Sequence, residues 1–487
     1  MIRVELNNER YQYNTFHIIK AFYPNEEIKI QSTENTMHIV EFFYDDQKLF
    51  QIESKVLPVR AKLQEEAYIQ LCKHEVNLAL YQALVKVSHK ELEWGMLNGV
   101  RPTKVAMKKW LSTLEKYNQS IYDSHQNTER EVVEWLNTYY GVKKEKAQLA
   151  VEIAKYEQKL LSAIDLEQGY SLYVGIPFCK TRCTYCSFTA YPLDKWIHRL
   201  DEYLDALCTE IAYVASVSKD KNLNTIYIGG GTPTSLSATQ MNRLLTTLEQ
   251  NFSYEHLQEI TVEAGRPDTI TREKLEVIKK HGIERISINP QTMQDKTLER
   301  IGRKHSVQEF IDCFYMAREL GFQNINMDLI MGLPGESLQD VQHTLDEIIK
   351  LDPDSLTVHT LAMKRTSQMT LSGEHIEEDL QMKAMIECAE KCAAKMNMKP
   401  YYLYRQKNIV GNYENVGYAK VDKAGIYNIL IMEEKQSIVA VGAGSTTKIV
   451  LPVEKKNIVR IENYKNVELY IAHIDEMIQR KGEWLWH

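Results

Sequence analysis

The chain has 487 residues, 44% of them apolar, enough to build the cores of two or three domains. A formal net charge of −7 offers no global attraction for nucleic acid, and no apolar run approaches the roughly 18 residues of a membrane span. The N-terminus alternates like a strand and lacks an apolar signal core. The eight cysteines form no disulfide framework, so a soluble cytoplasmic protein is expected.

Residues 1 to about 55 alternate apolar and polar positions, as in Met37-His38-Ile39-Val40-Glu41-Phe42, which predicts a small antiparallel sheet. From Arg60 to Val87 the period becomes helical, and Glu131–Tyr140 and Lys144–Ile164 read as two more helices. Ahead of those two lies a Gly/Pro-punctuated loop, Trp94 to Pro102. These residues predict an N-terminal α+β domain over 1–165, with no chemistry assigned to it.

Beyond residue 171 strands and helices alternate. Strand-like runs fall at 172–176, 225–229, 259–264, 285–289, 324–330 and 355–361, with helical periodicity between them (Ile197, Leu200, Leu204, Leu207 and Ile211 on one face). Six βα units predict an α/β fold with a parallel sheet, either doubly wound or curled into a partial barrel. In such barrels the active site lies at the carboxyl ends of the strands. Residues 401–487 form a mixed C-terminal α+β extension with a Gly-rich turn at Gly442-Ala443-Gly444-Ser445 and a helix from Val467 to Gln479.

The distinctive residues sit at strand ends. Cys179, Cys183 and Cys186 follow the first barrel strand at C-x3-C-x2-C spacing. Three thiolates can hold three irons of a [4Fe–4S] cube and leave the fourth open, the hallmark of a catalytic rather than a structural metal site. A zinc site would need a fourth ligand, for which only His198 is near in sequence, and a redox disulfide would leave one thiol over. After the second strand, Gly229-Gly230-Gly231-Thr232-Pro233-Thr234 lets the backbone approach a ligand closely; no Gly-Lys-Ser/Thr follows, so it is not a P-loop. Glu263 in the third strand is a carboxylate suited to ribose hydroxyls, with structural ion pairing as the alternative. Gln291, Arg303 and Asp328 continue the series, and together these groups suit an amino acid joined to a nucleoside.

The cysteine triad preceded by Tyr173-Val174-Gly175-Ile176-Pro177-Phe178, the Gly-Gly-Gly-Thr-Pro run and Gly332-Leu333-Pro334-Gly335 resemble the radical S-adenosylmethionine (SAM) superfamily. Within it the chain is similar to the oxygen-independent coproporphyrinogen III oxidase family and its HemZ-type branch. That resemblance covers about residues 170–365, with echoes to 450, and at branch level the Trp94–Lys104 loop and Tyr401-Tyr402-Leu403-Tyr404-Arg405-Gln406-Lys407-Asn408. It implies a partial (β/α)6 barrel over residues 166–400. It also implies that Cys179, Cys183 and Cys186 ligate a [4Fe–4S] cluster whose open iron is chelated by SAM. Tyr173, Gly230, Gly231, Thr232, Glu263, Gln291, Arg303, Asp328 and Ala362 fall at the family's SAM contacts. In the family, cluster reduction cleaves SAM to a 5′-deoxyadenosyl radical, which takes a propionate β-hydrogen; loss of CO2 leaves a vinyl group.

Two positions depart from the oxidase motif: Gly175 replaces a histidine and Phe188 a cysteine. The heme-chaperone branch shares the shorter cysteine motif, but its His-Asn-x-x-Tyr-Trp signature is absent from the corresponding region, Gly411 to Tyr418. A heme or porphyrin carrier and a methyl-transferring heme-modifying enzyme are therefore the alternative functions. Lys180 and Arg182 are candidates to guide a reduced flavodoxin or ferredoxin. His359, Lys364, Arg365, Arg405 and Lys407 are candidates to meet propionates of a tetrapyrrole substrate. Gly442 to Gly444 is a candidate border for a second SAM, and the other five cysteines read as packing residues.

Overall fold

The computed structural model describes all residues except 33–37, 59–63, 98, 100, 122–125, 187–189, 363–378, 407–412, 452–457 and 487. Phe188, Lys364, Arg365, Lys407, Gly411 and Asn412 thus lie outside the described residues. Two compact units are present: residues 1–155 with 404–414, and residues 156–403 with 415–487.

In the first unit, β1 (Ile2–Leu6), β2 (Ile28–Ser32), β3 (His38–Tyr44) and β4 (Gln47–Glu53) form a sheet ordered β2-β1-β3-β4. The expected antiparallel sheet is in fact mixed, because β1 and β2 run parallel. The helix Gln12–Phe22 crosses between them, and parallel neighbours need such a crossover where a hairpin does not. Ile18, Ile19 and Phe22 from this helix and Val76, Leu80 and Leu84 from Glu65–Ser88 cover the apolar face of the sheet. A further helix, Pro102–Lys116, follows the Gly/Pro loop. Its signals are Pro102 in the first turn and buried Ala106, Met107, Trp110 and Leu114 at helical spacing.

The second unit contains β5 (Gly169–Ile176), β6 (Phe178–Cys179), β7 (Tyr191–Pro192), β8 (Asn222–Gly230), β9 (Glu259–Gly265), β10 (Arg285–Ile288), β11 (Asn324–Met331) and β12 (Ser355–Thr360). It continues with β13 (Lys399–Tyr404), β14 (Asn415–Ala419), β15 (Ser437–Val441), β16 (Thr446–Val450) and β17 (Ile458–Glu462). One sheet runs β13-β14-β12-β11-β10-β9-β8-β5-β15-β16-β17. Its six central strands are parallel and lie in the order in which they occur in the chain. That order is the partial (β/α)6 barrel, since a doubly wound sheet reverses direction at a switch point. Capping boxes at Ser237, Ser306 and Ser337 start three of the intervening helices just after the strand-end loops.

Register aligns the polar residues of these strands on one face. Tyr173 lies opposite Tyr227, Tyr227 opposite Thr261, Thr261 opposite Arg285, Arg285 opposite Asn324, and Asp328 opposite Thr357. The alternate positions, such as Leu172, Ile226, Val262, Ile286, Met327 and Leu356, are fully buried and apolar. Because side chains alternate across a strand, the helix-facing side is greasy and the barrel interior is polar.

Candidate cluster and cofactor site

The three cysteines emerge from the end of β5 and are braced from several strands. Cys179 lies in β6, and its thiol sits 3.4 Å from Thr232 Oγ1. Burial pushes this thiol up to about 11, so a thiolate there calls for a partner cation such as iron. Thr184 N donates to Ile301 O (3.1 Å), Thr181 Oγ1 to Gly302 O (3.2 Å), and Cys186 N to Cys183 O (3.1 Å). The Arg303 guanidinium reaches both the Tyr185 hydroxyl and the Cys183 thiol, and also donates to Asn289 O.

The glycine run is required by contact as well as by conformation. Gly230 has φ +113°. A Cβ on Gly231 would stand 2.6 Å from Phe178 O, and one on Gly229 would stand 2.8 Å from Glu263 Oε2. Gly231 N and Thr232 N donate to Ile176 O and Phe178 O, both at 2.8 Å, which sets the run directly beside the first cysteine.

Glu263 accepts from the Tyr227 hydroxyl, and Tyr227 stacks on Tyr427 (ring centroids 4.4 Å apart) and faces Tyr173 (6.3 Å). Burial pushes the Glu263 carboxyl up to about 7, helped by nearby Asp328 and opposed by Tyr227, the Gly230 amide and His359. Asp328 accepts from Asn289 and Asn326 (both 2.8 Å), and His359 Nε2 is 3.7 Å away. Burial alone would raise the Asp328 carboxyl, but hydrogen bonds from His359, Asn326 and Thr357 and the His359 charge hold it below its usual range.

The raised Glu263 value has a consequence for stability. Between its usual value of 4.5 and about 7 the folded chain holds a proton that the unfolded chain has released. Its contribution is full below 4.5 and is lost as pH rises through 7. Wild-type protein is therefore expected to lose thermal stability from pH 5.5 to 8 relative to Glu263→Gln; parallel melting curves for the two would rule this out.

Gln291 adopts a left-handed conformation (φ +69°), which is uncommon for a residue with a side chain and costs about 1–3 kcal/mol. Its N donates to Asp328 O (2.9 Å) and its O accepts from Ile330 N (3.0 Å), but its buried Oε1 has no protein partner. Arg303 Nε and both His305 ring nitrogens are likewise buried without a partner. Buried polar atoms left open beside a cysteine loop fit a polar cofactor. Ala362 follows the end of β12.

Among the described residues, no three His, Cys, Asp or Glu side chains converge on one metal ion. A cluster differs in taking one thiolate at each of several irons. The cysteine loop, the guanidiniums near Cys183 and the unsatisfied polar atoms fit a [4Fe–4S] cluster with SAM.

Several functional neighbours escaped sequence reasoning. Arg266 and Asp268 grip the cysteine loop, Tyr227 and Asn289 hold Glu263 and Asp328, and Tyr427 enters from the C-terminal helix Ile426–Glu433. The charges of Arg266 and Asp268 just past a strand end are the signal in the sequence. Arg405 is buried and donates to Leu97 O, so the structure joins the two branch-level segments through it. Gly442 to Ser445 is held by a buried network: Gly442 N donates to Glu210, and Asn463 Nδ2 donates to Gly442 O and Ser445 Oγ. Cys313, Cys388 and Cys392 approach Pro267 O, Gln342 Nε2 and Leu345 O, and all eight cysteines are unbridged.

The radical SAM superfamily profile matches residues 173–348, from within β5 to the helix that follows β11. The chain is a radical SAM protein, and members of this superfamily use a [4Fe–4S] cluster and SAM. It is 40% identical over 418 residues to the oxygen-independent coproporphyrinogen-III oxidase-like protein HemZ of Bacillus subtilis, covering 84% of this chain and 80% of that protein. The chain therefore belongs to the oxygen-independent coproporphyrinogen III oxidase-like family. It is also 39% identical over 195 residues to the heme chaperone HemW of Bacillus subtilis, across 40% of this chain and about half (51%) of that one. The coproporphyrinogen III oxidase HemN from Escherichia coli shares the fold, with a TM-score of 0.52, 22% identity, and coverage of 66% of this chain and 73% of that chain. No helix among the described residues is long and apolar enough to cross a membrane.

Proposed function

We propose that the chain is a radical SAM enzyme of tetrapyrrole metabolism. The proposed reaction is oxygen-independent oxidative decarboxylation of coproporphyrinogen III propionates toward protoporphyrinogen IX, or a close variant. The observation that carries this reading is the braced cysteine loop opening onto a polar barrel interior, in a chain related over most of its length to an oxidase-like protein. Cys179, Cys183 and Cys186 hold the cluster. Tyr173, Gly230, Gly231, Thr232, Glu263, Gln291, Arg303, Asp328 and Ala362 hold SAM. When bound, this pair supplies reductively triggered radical chemistry.

The residues themselves bind, orient and shield. The glycine run would bring backbone close to the ligand, Glu263 would accept from ribose hydroxyls, and Arg303 would supply positive charge for the amino-acid carboxylate. The surrounding barrel excludes water. Lys180, half exposed beside the loop, is proposed to meet a reduced flavodoxin or ferredoxin. The carrier reading is the second one, favoured by the similarity to a heme chaperone.

The test is a product assay with anaerobically reconstituted enzyme, dithionite, SAM and coproporphyrinogen III. Formation of 5′-deoxyadenosine together with harderoporphyrinogen or protoporphyrinogen is expected. SAM cleavage with an unchanged tetrapyrrole would move the case to another radical reaction, such as methyl-transferring heme modification. Stoichiometric heme binding without SAM turnover would support the carrier.

A further inference from the structure

Arg266 lies one residue beyond β9 and is only 4% exposed, yet its guanidinium is fully engaged. Nε donates to Asp268 Oδ1 (3.0 Å) and Nη2 to Asp268 Oδ2 (3.0 Å), a two-pronged pairing with the carboxylate. Nη1 donates to Thr181 O (2.7 Å) and Nη2 to Thr181 Oγ1 (2.8 Å). The remaining Nη1 hydrogen is directed to Cys183 Sγ at 3.6 Å. All five guanidinium N–H groups therefore have partners, and one of those partners is a cysteine of the loop.

A loop could be anchored by neutral hydrogen bonds alone, so the charge at the sulfur needs its own account. A buried cation costs several kcal/mol to desolvate unless it is paired. Asp268 meets that need only in part, because its carboxylate lies on the side of the guanidinium away from Nη1. The Nη1 edge thus presents positive charge to the sulfur inside a low-dielectric site, where charge acts strongly. Hydrogen bonds to cluster sulfurs and the local net charge are the levers by which a protein sets an iron–sulfur potential.

We propose that Arg266 is a positioning residue that clamps the cysteine loop through Thr181 and, through its hydrogen bond to Cys183 Sγ, raises the reduction potential of the cluster, with Asp268 tempering that effect. Adding one electron to the cluster, from the low-potential donor that the superfamily chemistry requires, increases negative charge on the sulfurs. The N–H donor on Cys183 stabilises the reduced form more than the oxidised one. The fork geometry makes lysine a poor substitute, because an ammonium cannot serve Thr181, Asp268 and Cys183 together. The inference rests on Cys183 being a cluster ligand: Cys183→Ala retaining full iron and an unchanged potential would overturn that reading and this one with it, whereas iron-loaded Arg266→Met with an unchanged midpoint overturns this one alone.

The experiment is a dithionite-poised potentiometric titration of reconstituted full-length protein, without substrate, followed by electron paramagnetic resonance and with iron content measured in parallel. Arg266→Met is expected to lower the midpoint, cutting the reduced-to-oxidised ratio about tenfold at fixed potential, about 59 mV for one electron. Asp268→Asn keeps every Arg266 contact with Thr181 and is expected to shift the midpoint in the opposite direction. It carries the test if Arg266→Met takes up no iron. Arg266→Lys is expected to retain part of the potential but load less iron. A midpoint unchanged or moved the wrong way in any iron-loaded variant overturns the proposal. So does failure of both Arg266→Met and Asp268→Asn to load iron, which would leave Arg266 a structural anchor only.

Discussion

Replacing Cys183 by alanine is expected to abolish reductant-dependent 5′-deoxyadenosine formation. Of the three loop cysteines, Cys183 is the most enclosed, being 8% exposed and approached by the Arg266 and Arg303 guanidiniums. Those charges were arranged around a sulfur, and alanine leaves them facing a methyl group. Loss of an outer-shell partner at a metal site already costs about 10–100-fold. Loss of a ligand from a three-thiolate set should exceed that, with iron falling below the roughly four per chain of an intact cluster. Iron content, visible absorption and the yield of 5′-deoxyadenosine from SAM and dithionite measure the three consequences separately. An alanine variant that forms the nucleoside at the wild-type rate would remove the basis for the radical mechanism.

The second large effect lies away from the chemistry. Glu210 and Lys481 form an ion pair with no exposed surface on either side chain. Glu210 also accepts from Gly442 N (2.8 Å), Asn463 Nδ2 (2.8 Å) and the Tyr470 hydroxyl (2.6 Å), while Lys481 donates to Asn463 Oδ1 (2.6 Å). Removing one partner strands a buried charge at a cost of about 3–5 kcal/mol, whereas replacing both with apolar groups of similar volume is often neutral. Lys481→Ala should thus lower the midpoint of chemical denaturation strongly, and Glu210→Gln combined with Lys481→Met, which removes both charges while keeping an acceptor for Gly442 N and Tyr470, should recover part of the loss. Wild-type stability in Lys481→Ala would show that the pair contributes little.

This pair is connected to the candidate site through the strand edge. It fixes the turn after β15, and β15 is the parallel neighbour of β5, from which the cysteine loop emerges. Tyr203 donates to Gly175 O (2.7 Å) and accepts from Ala443 N (3.2 Å), which joins the same turn to the strand end. A Cβ on Gly175 would stand 3.2 Å from Val441 O. The position that carries histidine in the oxidase motif is here taken up by close approach of β15.

Local spacing carried much of the reading. The cysteines lie within eight consecutive residues, so their ligand pattern is visible without any fold, and six βα units show through their hydrophobic period. What the sequence left open was strand order, since the same units serve a doubly wound sheet or a barrel. Strand pairing decided it, and register gathered Tyr173, Tyr227, Glu263, Asp328 and His359 on one polar face, none of which is distinctive alone. The parallel pairing of β1 and β2 is invisible in the sequence because alternation reports which face is buried and not the direction in which a neighbouring strand runs.

By itself, then, the sequence determined the thiol loop, the strand-end glycines and the alternation of strands and helices, because each depends on residues close together in the chain. Only the tertiary structure decided the barrel order, the Arg266–Asp268 grip on the loop and the buried Glu210–Lys481 pair. Arg266 is 83 residues from Cys183, and Lys481 is 271 from Glu210. Contacts at that separation leave no periodic trace, since they are created by burial of the intervening elements rather than by local backbone preference.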